Sequence, residues 1–511
     1  MKKWIIITLL FPAIYSTAQL GFNKTYAFEQ EQITGSAFEN VLLDNDTLVL
    51  FGTCYPPVTP SGQQALLFVK MDTLGNVLMH KCHLDPDAPL DEYAAAPNYG
   101  IIKTSDGGYA LVGSNLGSVN GLLIKLSYDG DIEFYNKFDS ETERQIRKIL
   151  QLKDGYFLSG LNQLQNYDIQ VFLMKVDKQG NFLWEKTYGQ PGITEAPASL
   201  IKIDDNHFAI GAGKAKIAPS PPYNSGNTWT KAWLLEVDSL GNVINSTESQ
   251  YNVQTGLGGL KKMPDGWLYT SAKFEINNNQ FEWGTRGTIV RTGEDINDLH
   301  WERIVGTTST YVNGMVDIKP SPDGNWVAVG QWATPHPPPP MFGPNYVGGS
   351  TFKFTSDGDS LWARLDTAFW HPDCGSENYL GGVAVLPSGS IIAAGYANSN
   401  CFPPTPRSYG WILKISTDGC IDTLCSMANS QNPQPVKEIK IFPNPTTGLM
   451  NIENSNHYEA EVYDLFGRQV YRAAGLNSQI DITFLPDGVY ILKIFDKENK
   501  LEIVNKIMKY R

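Results

Sequence analysis

The chain has 511 residues, 42% hydrophobic and 12% aromatic, enough to bury at least one large core; length alone suggests two to four domains. Net charge is −13; Lys2 and Lys3 add two positive charges and residues 434–511 balance at ten of each sign, so the middle carries −15. A surface of that sign repels phosphate backbones, and no nucleic-acid partner is expected.

At the N-terminus, Lys2 and Lys3 precede the apolar run Trp4 to Ile14, and Ser16-Thr17-Ala18 precedes Gln19. This is the pattern of a signal peptide over 1–18 with cleavage after Ala18. The run is shorter than the ~20 residues that span a bilayer, and no later segment reaches that length, so no transmembrane segment is expected.

From there to Cys425 one unit recurs seven times. Its clearest copy runs Ile101 to Lys103, a turn at Asp106-Gly107-Gly108, a strand Tyr109 to Gly113, a variable loop, a strand Leu122 to Leu126, a turn at Asp129-Gly130, and a last strand through Phe134. The first turn recurs at Asp44, Asp106, Asp154, Asp205, Asp265, Asp323 and Ser388, each followed by Asn or Gly as tight hairpins require. The strand after it ends in glycine at Gly52, Gly113, Gly160, Gly211, Gly330 and Gly395, and only the fifth unit departs, with Thr270-Ser271. The second turn begins at Asp72, Ser127, Asp177, Asp238, Thr292, Thr355 and Ser416, side chains that can accept hydrogen bonds from the turn backbone, so these groups read as structural. A bulky residue follows at Phe134, Trp184, Trp301 and Trp362, placed to pack between neighbouring sheets. From Gly75 to Gly419 the second-turn glycines span 344 residues over six intervals, about 57 each, which suits four-stranded propeller blades with long loops.

Residues Phe22 to Tyr26 copy the Trp184-to-Gly189 type of fourth strand with no unit in front of them, whereas the seventh unit stops early at Cys425. The N-terminal strand is therefore expected to supply the outer strand of the seventh blade, closing the ring and removing its open edges. The fold class predicted is all-β: a seven-bladed β-propeller over 19–425, a linker over 426–436, and a small Ig-like β-sandwich over 437–511.

First-to-second and third-to-fourth connections are tight, while second-to-third and blade-to-blade connections are long, which puts the long loops on one face. That face is the candidate binding surface. Its excursions carry aromatic groups and prolines suited to sugar rings or protein anchors, and the candidate ligand-binding residues are Tyr55, Tyr223, Trp229, Trp370, His371 and Tyr409. His371, Asp373 and Glu377 form the densest polar cluster there, which reads more simply as loop polar residues beside a disulfide. No HExxH pair, GxSxG elbow or Walker loop occurs; neither catalytic residues, a metal site nor a cofactor is predicted. The six cysteines fit an oxidising compartment and, of fifteen possible schemes, the expected pairs are Cys54 with Cys82, Cys374 with Cys401, and Cys420 with Cys425.

The repeats resemble the propeller repeats of large secreted Bacteroidetes proteins, a resemblance that implies fold and secretion context without an activity. Residues 437–511 carry four motifs in order: PNPTTG at Pro443 to Gly448, DLFGRQV at Asp464 to Val470, LPDGVYILKI at Leu485 to Ile494, and KIMKY at Lys506 to Tyr510. These resemble the C-terminal sorting domain of type IX secretion, which implies export across the outer membrane and the type IX machinery as a partner. Seven short strands between turn signals fit a sandwich. The functional expectation is a secreted or surface-displayed binding module for a glycan or protein; the alternative is a polysaccharide hydrolase or lyase with carboxylates converging on the axial cavity.

Overall fold

The computed structural model describes residues 21–28, 35–55, 64–84, 93–95, 100–115, 120–140, 144–163, 169–216, 230–250, 256–277, 280–305, 314–333, 346–369, 376–399, 407–421, 440–453, 458–464, 468–476, 479–495 and 501–510. Two compact units are present, residues 1–427 and 428–511. No helix long and apolar enough to cross a membrane occurs among the described residues.

The first unit contains seven antiparallel blades whose strands run in chain order from the inside outward, and blades 6 and 7 are joined into one sheet by a short parallel pairing of Tyr346 and Val347 with Ser376 and Glu377. Their inner strands are Ser36–Asp44, Ile101–Lys103, Arg144–Gln151, Ile193–Lys202, Gly258–Met263, Gly314–Pro320 and Ser376–Val385. Each inner strand touches the inner strand of the next blade, and the first touches the seventh, so the ring is closed. The fourth strand of blade 7 is Phe22–Tyr26, paired antiparallel with Arg407–Ile415 in the register Phe22 to Lys414 through Tyr26 to Gly410. N-terminal closure is thus a property of the strand pairing itself. Blade 2 has an interrupted inner edge, with Tyr93–Ala95 and Ile101–Lys103 both pairing Tyr109–Asn115. Blade 5 differs in another way: its second-to-third connection is a long hairpin, Gly266–Asn277 with Gln280–Thr292, in place of an irregular loop.

The core is divided among the gaps between blades. Seven hydrophobic clusters are each shared by two consecutive blades, and the cluster that joins Leu48, Leu50 and Leu67 of blade 1 to Ile392 and Ile412 of blade 7 includes Phe22. Packing one sheet face on the next buries apolar area on both sides of every blade, at roughly 25 cal/mol per Å².

The repeated residues lock these gaps in one direction. The fourth-strand aromatic of each of several blades lies over the second-turn glycine of the next: Phe134 over Gly180, Trp184 over Gly241, Trp301 over Gly358, and Trp362 over Gly419. Phe22 lies over Gly75 of blade 1 in the same way. A Cβ at Gly241 would stand 2.8 Å from the Trp184 ring, so the contact needs glycine. The Tyr188 hydroxyl donates to the Gly241 carbonyl at 2.8 Å, and the Tyr26 hydroxyl donates to the Gly75 carbonyl at 2.8 Å. The sequence copy between the N-terminus and the third fourth-strand is therefore a structural copy as well.

The turn groups behave as expected. Asp177 Oδ1 accepts from the backbone N–H of Gln179 and Asn181, and Asp72 and Asp238 repeat the arrangement. The first-turn aspartates have a further role that the turn motif alone does not reveal. They pair with the third-strand cation of their own blade, as in Asp106 with Lys125 (3.1 Å), Asp154 with Lys175 (2.7 Å), Asp323 with Lys353 (2.6 Å) and Asp265 with Arg291. In blade 4 the contact differs, with His207 Nε2 facing the Glu236 carboxylate at 2.8 Å.

The second unit is a sandwich of a three-stranded sheet (Lys440–Phe442, Leu449–Glu453, Gln479–Asp481) and a four-stranded sheet (Gln469–Leu476, Tyr458–Tyr463, Gly488–Phe495, Leu501–Lys509). Met450, Ile452, Ile480 and Ile482 meet Val462, Leu492, Ile494 and Ile507 in its core. Two of the four tail motifs close on each other: the Thr446 N–H donates to the Met508 carbonyl at 2.8 Å, and the Asn444 side chain accepts from the Met508 N–H at 3.0 Å.

Candidate axial-channel site

Each inner strand that can be followed across mid-length breaks register there. The shifts fall at Phe38/Asn40, Ile146/Lys148, Pro197/Ser199, Gly258/Lys261, Met315/Asp317 and Leu380/Gly382. A bulge of this kind bends the strand and re-aims side chains. It also explains the glycine that closes the second strand. Gly395 lies opposite the bulge of blade 7, where a Cβ would stand 1.7 Å from the Tyr379 carbonyl oxygen; at Gly52 the corresponding distance to the Ala37 carbonyl is 1.8 Å. The recurring glycine is therefore a requirement of the inner-strand bulge.

These bulges put charged groups into the central space. Lys148 belongs to blade 3 and Asp317 to blade 6, yet the Asp317 carboxylate is near enough to act on the Lys148 ammonium. Burial pushes Lys148 down to about 7, the Arg147 guanidinium adding to the effect and Asp317 opposing it. Lys261 of blade 5 is pushed down to about 8 by burial and then by Lys319, with Asp317 again opposing. Asp317 accepts from the Val383 N–H of blade 7 at 3.1 Å and from Lys319 at 3.1 Å, so it ties two blades together. Arg147 is steered by Gln145, whose Oε1 accepts from its Nη2 at 2.8 Å.

A second group gathers between blades 7 and 1. The Tyr379 and Tyr396 rings pair at 4.9 Å between centroids, and no hydrogen bond to either hydroxyl is present among the described residues. Burial and then the Glu377 carboxylate push the Tyr379 hydroxyl up to about 12; Tyr396 is pushed higher by burial, then by Glu39, with Tyr379, Glu377 and Tyr55 adding. Both phenols stay neutral and able to donate. Glu39 sits at the bulge of blade 1, surrounded by protein but not sealed from solvent, as a group lining a narrow passage would be. Burial raises its carboxyl to about 7, and among the described residues no hydrogen bond or ion pair to it is present. Perturbed groups converging in a concavity are the physical mark of a functional site.

Of the residues named from sequence, Tyr55 and Tyr409 are described and both are half-buried. Tyr55 reaches the second group: it acts on Tyr396, and its hydroxyl accepts from Gln64 Nε2 at 2.8 Å. Tyr409 packs its ring edge-on against Phe369 at 5.2 Å. Tyr223, Trp229, Trp370, His371 and Asp373 lie outside the described residues. Cys54 and Cys82 form a disulfide, and Cys420 is also disulfide-bonded; Cys374, Cys401 and Cys425 lie outside the described residues. Sequence reasoning missed Glu39, Tyr379, Tyr396, Lys148, Lys261 and Asp317. Glu39, Lys148, Lys261, Asp317 and Tyr379 lie at or beside the inner-strand bulges and Tyr396 follows the strand-two Gly395, a position relative to the repeat that was their signal.

A closed ring of seven four-stranded blades followed by a two-sheet sandwich defines a β-propeller protein with an appended β domain. Residues 440–510 match the family described as "Secretion system C-terminal sorting domain". The chain accordingly carries a type IX sorting domain and is exported to the cell surface or the extracellular space. Beta-agarase D of Zobellia galactanivorans is 38% identical over 61 residues, which are 12% of this chain and 13% of that protein. Among solved structures, the Penicillium chrysogenum alpha-L-arabinanase complexed with arabinobiose is similar at 11% identity and a TM-score of 0.37, covering 61% of this chain and 92% of that one. Drosophila Semaphorin 1b, extracellular domains 1–2, is similar at 7% identity and a TM-score of 0.40, covering 78% and 86%. Likenesses at these levels say nothing about function, and the propeller rests on its own strand pairing.

Proposed function

We propose that this exported propeller is a binding module that seats a glycan at the long-loop end of its axial channel, against Tyr379 and Tyr396. The observation that carries the reading is that ring pair, half-buried, with hydroxyls free to donate and with the Glu39 and Glu377 carboxyl groups beside it. Aromatic faces cover the apolar side of a sugar, and neutral phenols and carboxyl groups pair with its hydroxyls. Tyr55 adds a third aromatic at the same place.

The test is thermal unfolding of the full chain against a panel of oligosaccharides. A ligand at 100 times its dissociation constant stabilises the folded state by about 2.7 kcal/mol. The proposal expects a shift with one glycan class that disappears in Tyr379→Ala and persists in Tyr409→Ala. A shift insensitive to Tyr379 would place recognition elsewhere and refute it. One observation also favours a hydrolase: a carboxyl at about 7 is suited to donate a proton, and Glu377 would serve as the second carboxylate. That reading expects new reducing ends from a bound glycan and none from Glu39→Gln.

A further inference from the structure

We propose a second carbohydrate subsite, separate from the axial channel: a recess between blades 2 and 3 that seats one neutral pyranose on the Phe182 ring and holds two of its adjacent hydroxyls with Glu185 and Arg144.

The recess has a volume of about 480 Å³, within the range of small-molecule sites. Lys137, Phe138 and Asp139 line it from the end of the blade 2 outer strand, and Arg144, Phe182 and Glu185 line it from blade 3. Two cations and two carboxylates balance there, so the recess suits a ligand without net charge. Phe182 is 57% exposed and supplies an uncovered aromatic face. The matching position of other blades, first in the outer strand and opposite the end of the third, holds Val77, Ile132, Val243 and Leu299. These are exposed too but offer no flat ring. A planar face packs on the C–H side of a pyranose in a way that a branched aliphatic group cannot.

The polar half of the site comes from a departure in the repeat. Two residues before the inner-strand bulge, blades 1, 4 and 7 place a side chain that ties down the backbone arriving from the blade before. The Ser36 hydroxyl donates to the Tyr26 carbonyl at 2.8 Å, Glu195 Oε1 accepts from the Gln190 N–H at 3.0 Å, and Asn378 Oδ1 accepts from the Ala368 N–H at 2.8 Å. In blade 3 this position is Arg144, which turns instead to its own blade. Its Nε donates to Asn162 Oδ1 at 3.0 Å and its Nη2 to Glu185 Oε1 at 3.2 Å. Asn162 Nδ2 donates to the same Oε1 at 3.2 Å. The guanidinium also lies 5.2 Å from the centroid of the buried Phe172 ring, so both charged groups are held in place. Glu185 Oε2 and Arg144 Nη1 have no hydrogen bond among the described residues. A vicinal diol matches this pair: one hydroxyl donates to Oε2 and its neighbour accepts from Nη1, and bonds to ionised groups are the stronger kind.

One sugar of about a dozen heavy atoms in an open recess binds with a dissociation constant on the order of millimolar. At that strength the recess contributes little to a melting shift measured with oligosaccharides, so the two sites are read apart.

The experiment is saturation-transfer NMR of the full chain carrying Tyr379→Ala, which removes the channel pair, with methyl glycosides of glucose, galactose and mannose as probes. The expected result is a millimolar isotherm for one of them. Phe182→Leu, which copies the aliphatic residue of other blades, should weaken that binding about tenfold, and Phe182→Trp should keep it. Because the Phe182 side chain is more than half exposed, both substitutions should leave the unfolding midpoint in place. Binding that Phe182→Leu leaves unchanged, or that both substitutions abolish, overturns the recess. So does the absence of transfer from all three glycosides at tens of millimolar. The channel reading stands in each case, because its own test uses longer oligosaccharides and Tyr379. The two Phe182 variants on an unaltered Tyr379 background carry the same comparison, so the test does not depend on the Tyr379 variant folding.

Discussion

Replacing Glu39 with glutamine should make the propeller more stable at alkaline pH and leave it nearly unchanged at pH 5. The carboxyl lies at the bulge of the blade 1 inner strand, with no hydrogen bond or ion pair among the described residues, and burial raises it from 4.5 to about 7. A group whose folded-state pKa lies above its unfolded value gives stability that is whole below the unfolded pKa and is lost as pH rises through the folded one. Between pH 4.5 and 7 the folded chain thus binds more protons than the unfolded chain, and stability falls. At 1.36 kcal/mol per unit, a rise from 4.5 to about 7 corresponds to a loss of about 3 kcal/mol, complete near pH 8. Glutamine has nearly the same shape and no charge, so the variant should exceed the parent by up to about 3 kcal/mol at pH 8. Urea unfolding of both proteins at pH 5, 6, 7 and 8, following the propeller transition, measures the gap. Lys148 and Lys261 impose the same pH dependence on both proteins and drop out of the difference. A gap that does not widen with pH would show that Glu39 is solvated like an ordinary surface carboxylate and refute the reasoning.

Further expectations concern the fold and its export. Gly395→Ala drives a Cβ into the Tyr379 carbonyl and should destabilise the propeller by at least ~1–3 kcal/mol in the same unfolding assay. Tyr26→Phe removes the hydroxyl bond to Gly75 that holds the N-terminal strand to blade 1; the expected loss is ~1 kcal/mol, matched by Tyr188→Phe at Gly241. Cys54→Ser opens a disulfide that spans 28 residues and should cost about 3–4 kcal/mol under oxidising conditions, with no difference from the parent once both are reduced. Removing residues 440–510 should leave the propeller in the periplasm, as read by cell fractionation, because the sorting domain addresses it to the outer surface.

The architecture was legible because each blade must solve the same problems. A tight first turn, a glycine opposite the bulge, a turn cap and a bulky group over the next blade's glycine recur wherever sheets stack, so they print a period into the chain. The Tyr26 and Tyr188 contacts show why closure could be seen from five residues: the same carbonyl must be met on both sides of the ring. The site left no such print. Glu39, Lys148, Lys261 and Asp317 occur once each, in different blades, and each looks locally like a polar residue in a short strand. Only ring closure brings Lys148 within reach of Asp317, 169 positions away in the chain. The loop aromatics drew attention because loops on rigid scaffolds often carry function, and Tyr55 does join the tyrosine group, but its partners Tyr379 and Tyr396 lie on regular strands.

The claim that the axial channel is the binding site is tested most directly by hydrogen exchange of the full chain with and without a glycan that binds. The account predicts added protection in residues 36–44, 376–385 and 391–399, where Glu39 and the tyrosine pair stand. Protection confined to outer strands such as Phe182–Tyr188, with the inner strands of blades 7 and 1 unchanged, would contradict it.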